Sequence, residues 1–199
     1  MKRLRLLGTW LIGLLILGAL AWQAVPVQAQ ETVTAQFRLQ ISALNRLLIG
    51  LRTVTTTLDQ DYTQLFSSGT GANQANALYQ ASRTLSASAN ETLDLNASLS
   101  DDFGQSVTCT KLRAISVHAA SGNTNNVIVG GGNTTVTALT STGAFTNAGL
   151  VVRPNGTLIW TFPDSTGGAI TAGSSDLLQF TNSSGSTSVT YDVILVCAE

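Results

Sequence analysis

From Phe66 onward, short apolar or alternating runs are cut repeatedly by Gly, Asn and Ser turns, a rhythm that suits strands and leaves no room for a long helix. Leu93, Leu95, Ala97 and Leu99 alternate with Asp94, Asn96 and Ser98, the period of a strand buried on one face. Tyr79, Ala81, Arg83 and Leu85 share one parity, residues 112–118 read as a further strand, and Val127-Ile128-Val129 stops at Gly130-Gly131-Gly132. Residues 150–152 and 157–162 flank Arg153-Pro154-Asn155-Gly156. Proline presets φ there and Asn-Gly tolerates positive φ, so a hairpin is predicted. A second hairpin is predicted for residues 177–181 and 189–197 around the turn at 182–186. In the last strand Val189, Tyr191, Val193, Leu195 and Cys197 share a face, and Ile194 with Val196 makes the other face apolar too. That strand is expected at the centre of a sheet. Residues 66–199 are therefore expected to form an all-β domain, an antiparallel β-sandwich or jelly-roll-like body.

The preceding segment, residues 30–65, is mixed. Val33, Ala35, Phe37, Leu39 and Ile41 alternate like a strand, whereas Leu44, Leu47, Leu48, Leu51 and Val54 fall at helical spacing. Thr53 and Thr55, Thr56 and Thr57 pull back toward β structure. The expectation is strand, then one short helix or irregular connection near 42–52, then strand. Ahead of it, Lys2, Arg3 and Arg5 precede an uncharged apolar run, Pro26 breaks it, and Val27-Gln28-Ala29 supplies small residues. This is the pattern of a secretory signal helix, residues 1–29, cleaved between Ala29 and Gln30. The run from Leu6 to Val25 is also long enough to act as an uncleaved anchor.

Export gives meaning to the two cysteines, Cys109 and Cys197. In an oxidising compartment so sparse a pair reads as one disulfide, with two buried free thiols as the alternative. Charge is scarce: 11% of the 199 residues are Asp, Glu, Lys or Arg. Without the leader, seven basic groups stand against eleven acidic ones, which excludes a nucleic-acid binder read from charge. Lys111 is then the only lysine and no methionine remains, so hydroxyls and amides must supply the surface polarity. This composition is common in assembled extracellular or particle-forming proteins.

Several strings, in order and spacing, resemble a family of small β-sandwich proteins found among the structural genes of tailed bacteriophages. They are Gly69-Thr70-Gly71-Ala72-Asn73-Gln74-Ala75, Arg83-Thr84-Leu85, Leu93-Asp94-Leu95 and Ser121-Gly122-Asn123-Thr124-Asn125-Asn126-Val127. They continue with Val152-Arg153-Pro154-Asn155-Gly156, Pro163-Asp164, Thr171-Ala172-Gly173 and Ser188-Val189-Thr190-Tyr191-Asp192. The resemblance covers roughly residues 66–196, and to it this chain adds the leader and the cysteine pair. It implies a virion-associated structural role, capsid- or tail-associated, without enzymatic activity.

Candidate chemistry is thin. His118 is the only imidazole, no G-x-S-x-G elbow accompanies it, and the pattern supports no catalytic residue and no metal site. Asp101, Asp102, Asp164, Asp176 and Asp192 offer oxygen ligands but no EF-hand spacing. Gly130-Gly131-Gly132 lacks the Lys-Ser/Thr of a phosphate loop. Trp160 and Phe162, alternating within one strand, are the candidate ligand platform for a glycan. The expectation is a non-enzymatic exported structural protein, without cofactor, whose partners are its own copies or other structural subunits. The alternative is an extracellular glycan- or receptor-binding module. Membrane contact would come only through an uncleaved leader.

Overall fold

Alternating apolar residues and turn-forming Gly, Asn and Asp give the chain strands almost throughout. The computed structural model describes residues 32–49, 52–97, 99–141, 145 and 148–199. The expected leader and its expected cleavage between Ala29 and Gln30 lie outside the described residues. In chain order the strands are β1 (Ala35–Ile49), β2 (Arg52–Ser68), β3 (Gln74–Ala75), β4 (Ala77–Leu85) and β5 (Asn90–Asp94). Next come β6 (Leu99–Ser100), β7 (Ser106–Val107), β8 (Lys111–Ala119) and β9 (Val127–Val129), then the one-turn helix α1 (Thr137–Thr140). The chain ends with β10 (Leu150–Val152), β11 (Thr157–Thr161), β12 (Gly168–Ala169), β13 (Leu177–Asn182) and β14 (Val189–Ala198).

Two antiparallel four-stranded arrays form a sandwich-like body. One has the order β11-β8-β14-β4, with β12 added beside β8, and the other β10-β9-β13-β5. Their inward side chains make one core. Ile115, Val117, Tyr191, Val193 and Leu195 come from the first array, and Leu93, Val127, Val129, Leu178 and Phe180 from the second. Phe180 and Tyr191 stack across the gap with ring centroids 4.7 Å apart. As expected from its apolar faces, β14 is central, paired with β4 on one side and β8 on the other.

Three expectations are corrected. The helix near 42–52 is absent, because Ala35–Ile49 pairs along its whole length with Arg52–Ser68 in one antiparallel hairpin. Leu39 lies opposite Tyr62, Ala43 opposite Leu58 and Leu47 opposite Val54. Cross-strand pairing of the β-branched and aromatic side chains thus overrides the helical spacing, and the expected boundary at 66 falls inside β2. The two predicted hairpins are also not hairpins. The turn at 153–156 forms as its residues demand, with Asn155 at φ 62° and the Gly156 N–H donating to the Arg153 carbonyl at 2.8 Å. Yet β10 joins β9 in one array while β11 joins β8 in the other, and β13 and β14 are divided in the same way. These turns are arches between sheets. Finally, the alternation over 93–99 is not one strand: the Asp94 carboxylate accepts the N–H groups of Asn96 and Ala97 and turns the chain after β5.

Candidate functional site

The outer face of the β11-β8-β14-β4 array is built in rows. The row of Ser82, Asp192, His118 and Thr157 runs across four strands. Asp192 sits between the serine and the histidine, and His118 Nδ1 is 2.8 Å from Thr157 Oγ1. The His118 imidazole therefore stands between the Thr157 hydroxyl and the Asp192 carboxylate, the order of a relay, but among the described residues no hydrogen bond joins it to Asp192 and the row lies on the open face of the sheet. Of the candidate calcium carboxylates, Asp192 stands on β14, and the others are taken up in turns at 101–105, 164–167 and 173–176. Asp101 accepts the N–H groups of Phe103 and Gln105, Asp164 those of Thr166 and Gly167, and Asp176 that of Gly173, while Asp102 holds Gln80. Among the described residues no three His, Cys, Asp or Glu side chains converge.

Trp160 and Phe162 point inward from β11 at the rim. Both are half-buried and stacked at 6.2 Å, and Trp160 also lies 5.4 Å from the fully buried Phe145. Cys109 and Cys197 are joined in a disulfide with Cα atoms 5.3 Å apart, both fully buried. The bond ties the start of β8 to the end of β14.

A charged network closes the sandwich at the β4–β5 side. Arg83 grips Glu91 Oε2 through Nε at 2.7 Å and through Nη2, and reaches the Tyr79 hydroxyl, while the Tyr191 hydroxyl donates to Glu91 Oε1 at 2.6 Å. Burial pushes the Glu91 carboxyl up, but the hydrogen bonds from Arg83 and Tyr191 outweigh it and hold the group below its ordinary value. Burial, together with the Glu91 carboxylate, raises Tyr191 far above the usual phenol range, so its proton stays in place.

What dominates the surface is the β1–β2 hairpin. Its root is seated on the outer face of the first array. Phe66, Val33 and Ala75 are buried with Ala114 of β8 and Val196 of β14, and Phe37 meets Phe66 edge-on at 6.3 Å. The loop leaving β2 is then pinned by Arg113, the largest fully buried side chain. Its Nη2 donates to the Thr70 carbonyl at 2.6 Å and its Nη1 to that of Asp164 at 2.5 Å. A register shift beside Val196 and Cys197 makes Arg113 the extra residue of a β-bulge, which frees its side chain from the alternation of β8. Gly167, at φ +60°, leaves it room: a Cβ there would lie 2.9 Å from Nη1. Asn73 adds a further tie, its N–H donating to the Pro163 carbonyl.

Beyond this root, every side chain described between residues 39 and 62 is exposed. One face carries Leu39, Ile41, Leu47, Val54, Leu58 and Tyr62, each 42–59% exposed. The opposite face is mixed: Arg38 is bonded to Asp61 and Ser42 to Asp59, but the exposed Leu44 and Leu65 lie there too. An open groove of 480 Å³ runs between Leu39 and Tyr62 at the root and Ile159 on β11. Neither this arm nor Arg113 was singled out from the sequence. The alternation that begins at Val33 and resumes in the Thr-rich stretch was the available signal for the arm; a bulge leaves no such trace. No protein-family model matches the chain, and no curated protein and no solved structure matches it.

Proposed function

We propose that this chain is a non-enzymatic, exported structural subunit that works by assembly. The observation that carries the reading is the arm of residues 39–62, which is rigidly rooted yet leaves an apolar face and long strand edges uncovered. A chain acting alone gains nothing from such an element and risks non-specific pairing through it. The strand orders β11-β8-β14-β4 and β10-β9-β13-β5, with arches crossing between them, are those of an eight-stranded jelly roll, an architecture used by capsid and lectin domains. The resemblance of residues 66–196 to structural proteins of tailed bacteriophages points the same way, toward a virion-associated or surface-displayed building block. The disulfide suits an oxidising compartment, and with the N-terminal leader it supports export. A glycan-binding module has less support, because Trp160 spends its ring on Phe145 and Phe162. Light scattering on protein recovered from the secreting compartment tests the reading. A mass of several chains is expected; a single chain at all concentrations, together with selective glycan binding, would overturn it.

A further inference from the structure

The sheet edge formed by β11 is open. β11 ends the order β11-β8-β14-β4, and among the described residues no strand pairs with its outer side. The parity of that side follows from the Phe162 N–H, which donates to the Arg113 carbonyl of β8 at 2.7 Å. Bonded and free positions alternate along an antiparallel strand. Leu158 and Trp160 therefore turn their main-chain groups toward β8, while those of Thr157, Ile159 and Thr161 point away from the sheet. Natural edges are blunted by charge, proline or a bulge. β11 has none of these, and no charged residue occurs from Pro154 to Pro163. Its side chains are apolar on both faces. Ile159, 47% exposed, borders the groove of Phe37, Leu39 and Tyr62 on the outer face, and Leu158 and Trp160 lie half-buried at the rim of the core. Read from either end, Thr157-Leu158-Ile159-Trp160-Thr161 has one order of chemical types: hydroxyl, large apolar, isoleucine, large apolar, hydroxyl.

From these features, and resting on the assembly reading above, we infer that the β11 edge is an interface with a second copy of this chain, paired antiparallel with that copy's β11 about a two-fold axis through Ile159. An isologous contact uses one patch twice, so every residue must suit the position that the axis sets opposite it. Ile159 meets Ile159 of the second copy, Leu158 meets its Trp160, and Thr157 its Thr161, each a favourable cross-strand pair. The free positions of the two strands supply about six main-chain hydrogen bonds. The axis stands perpendicular to the sheet, so the outer faces of both copies lie on the same side. Ile159 of each copy then enters the groove that Leu39, Tyr62 and Ile159 form in the other, and the two arrays continue as one sheet. An extended peptide of another protein would find the same hydrogen-bonding groups, but the palindrome is a property of this chain and singles out its own copy.

The test uses the full-length chain as recovered from expression, with wild type and variants in the same processed form. Light scattering over a dilution series is expected to give an even number of chains for wild type. Ile159→Lys and Ile159→Glu each set like charges opposite one another at the axis, and each should raise the dissociation concentration at least tenfold. Mixed in equal parts, the two variants set Lys opposite Glu and should recover the wild-type mass, because a residue on the axis meets only its own position. Both variants should melt within a few degrees of diluted wild type, since the side chain is exposed. Independently of any variant, hydrogen exchange should show the Thr157, Ile159 and Thr161 amides protected at assembling concentration and released on dilution, with those of Leu158 and Trp160 protected at both. An odd-numbered multimer, one indifferent to both substitutions, or one in which those three amides exchange freely overturns the edge contact and leaves the assembly reading standing. Loss of the multimer in each variant without recovery in the mixture places Ile159 off the axis and overturns the inference. A single chain at every concentration overturns both readings.

Discussion

Glu91 of β5 accepts hydrogen bonds from Arg83 of β4 and Tyr191 of β14, and so ties one sheet to the other. Its carboxyl is held below the ordinary value of 4.5, so the stability it contributes is complete above that pH and is lost as the pH falls through the lower folded value. Melting curves should show wild type losing stability steeply below about pH 4. Glu91→Gln, which leaves the Arg83 guanidinium without its counter-charge, should be less stable by about 1–2 kcal/mol at pH 7 and flatter on the acid side. The cysteine pair closes a loop 88 residues apart in sequence, worth on the order of 4–5 kcal/mol in the chain-entropy account. Cys109→Ala with Cys197→Ala should lower the thermal midpoint accordingly, and non-reducing peptide mapping of wild type should return the two cysteine peptides linked. The pairing was legible in the sequence because a chain with two cysteines leaves each of them one partner. Arg113 was not, because its burial depends on a bulge and on a glycine that stands 54 residues away.

At the scale of elements, the root of the arm is held by Phe66, which has no exposed surface. Phe66→Ala should cost about 3–5 kcal/mol and raise hydrogen exchange through β1 and β2 before the rest of the sandwich. Uniform exchange across the sandwich would show that the arm root and the core unfold as one. The sequence marked where the chain reverses and missed which strand lies beyond the reversal. Asn155 and Gly156 dictate a tight turn whether the strands stay in one sheet or cross to the other. That choice belongs to the core, where Val152 and Leu158 pack from opposite layers. In the arm the error ran the other way. Leu44, Leu47 and Leu48 read as a helix while the residues they pair with, Thr57, Val54 and Thr53, lay across the hairpin.

For the whole molecule, alternation and turns sufficed for the all-β class, and the central position of β14 followed from its two apolar faces. Strand order did not, since it depends on pairings such as β4 with β14 that join the two ends of the domain. Export belongs to this scale as well: mass spectrometry of the secreted product should find Gln30 first, and an intact Met1 would remove the leader from the account. The account as a whole stands on the proposal that this is a building piece that joins its like. Electron microscopy of the purified full-length protein tests it most directly. The expected image is a discrete particle of several sandwiches; a field of lone sandwiches would contradict it.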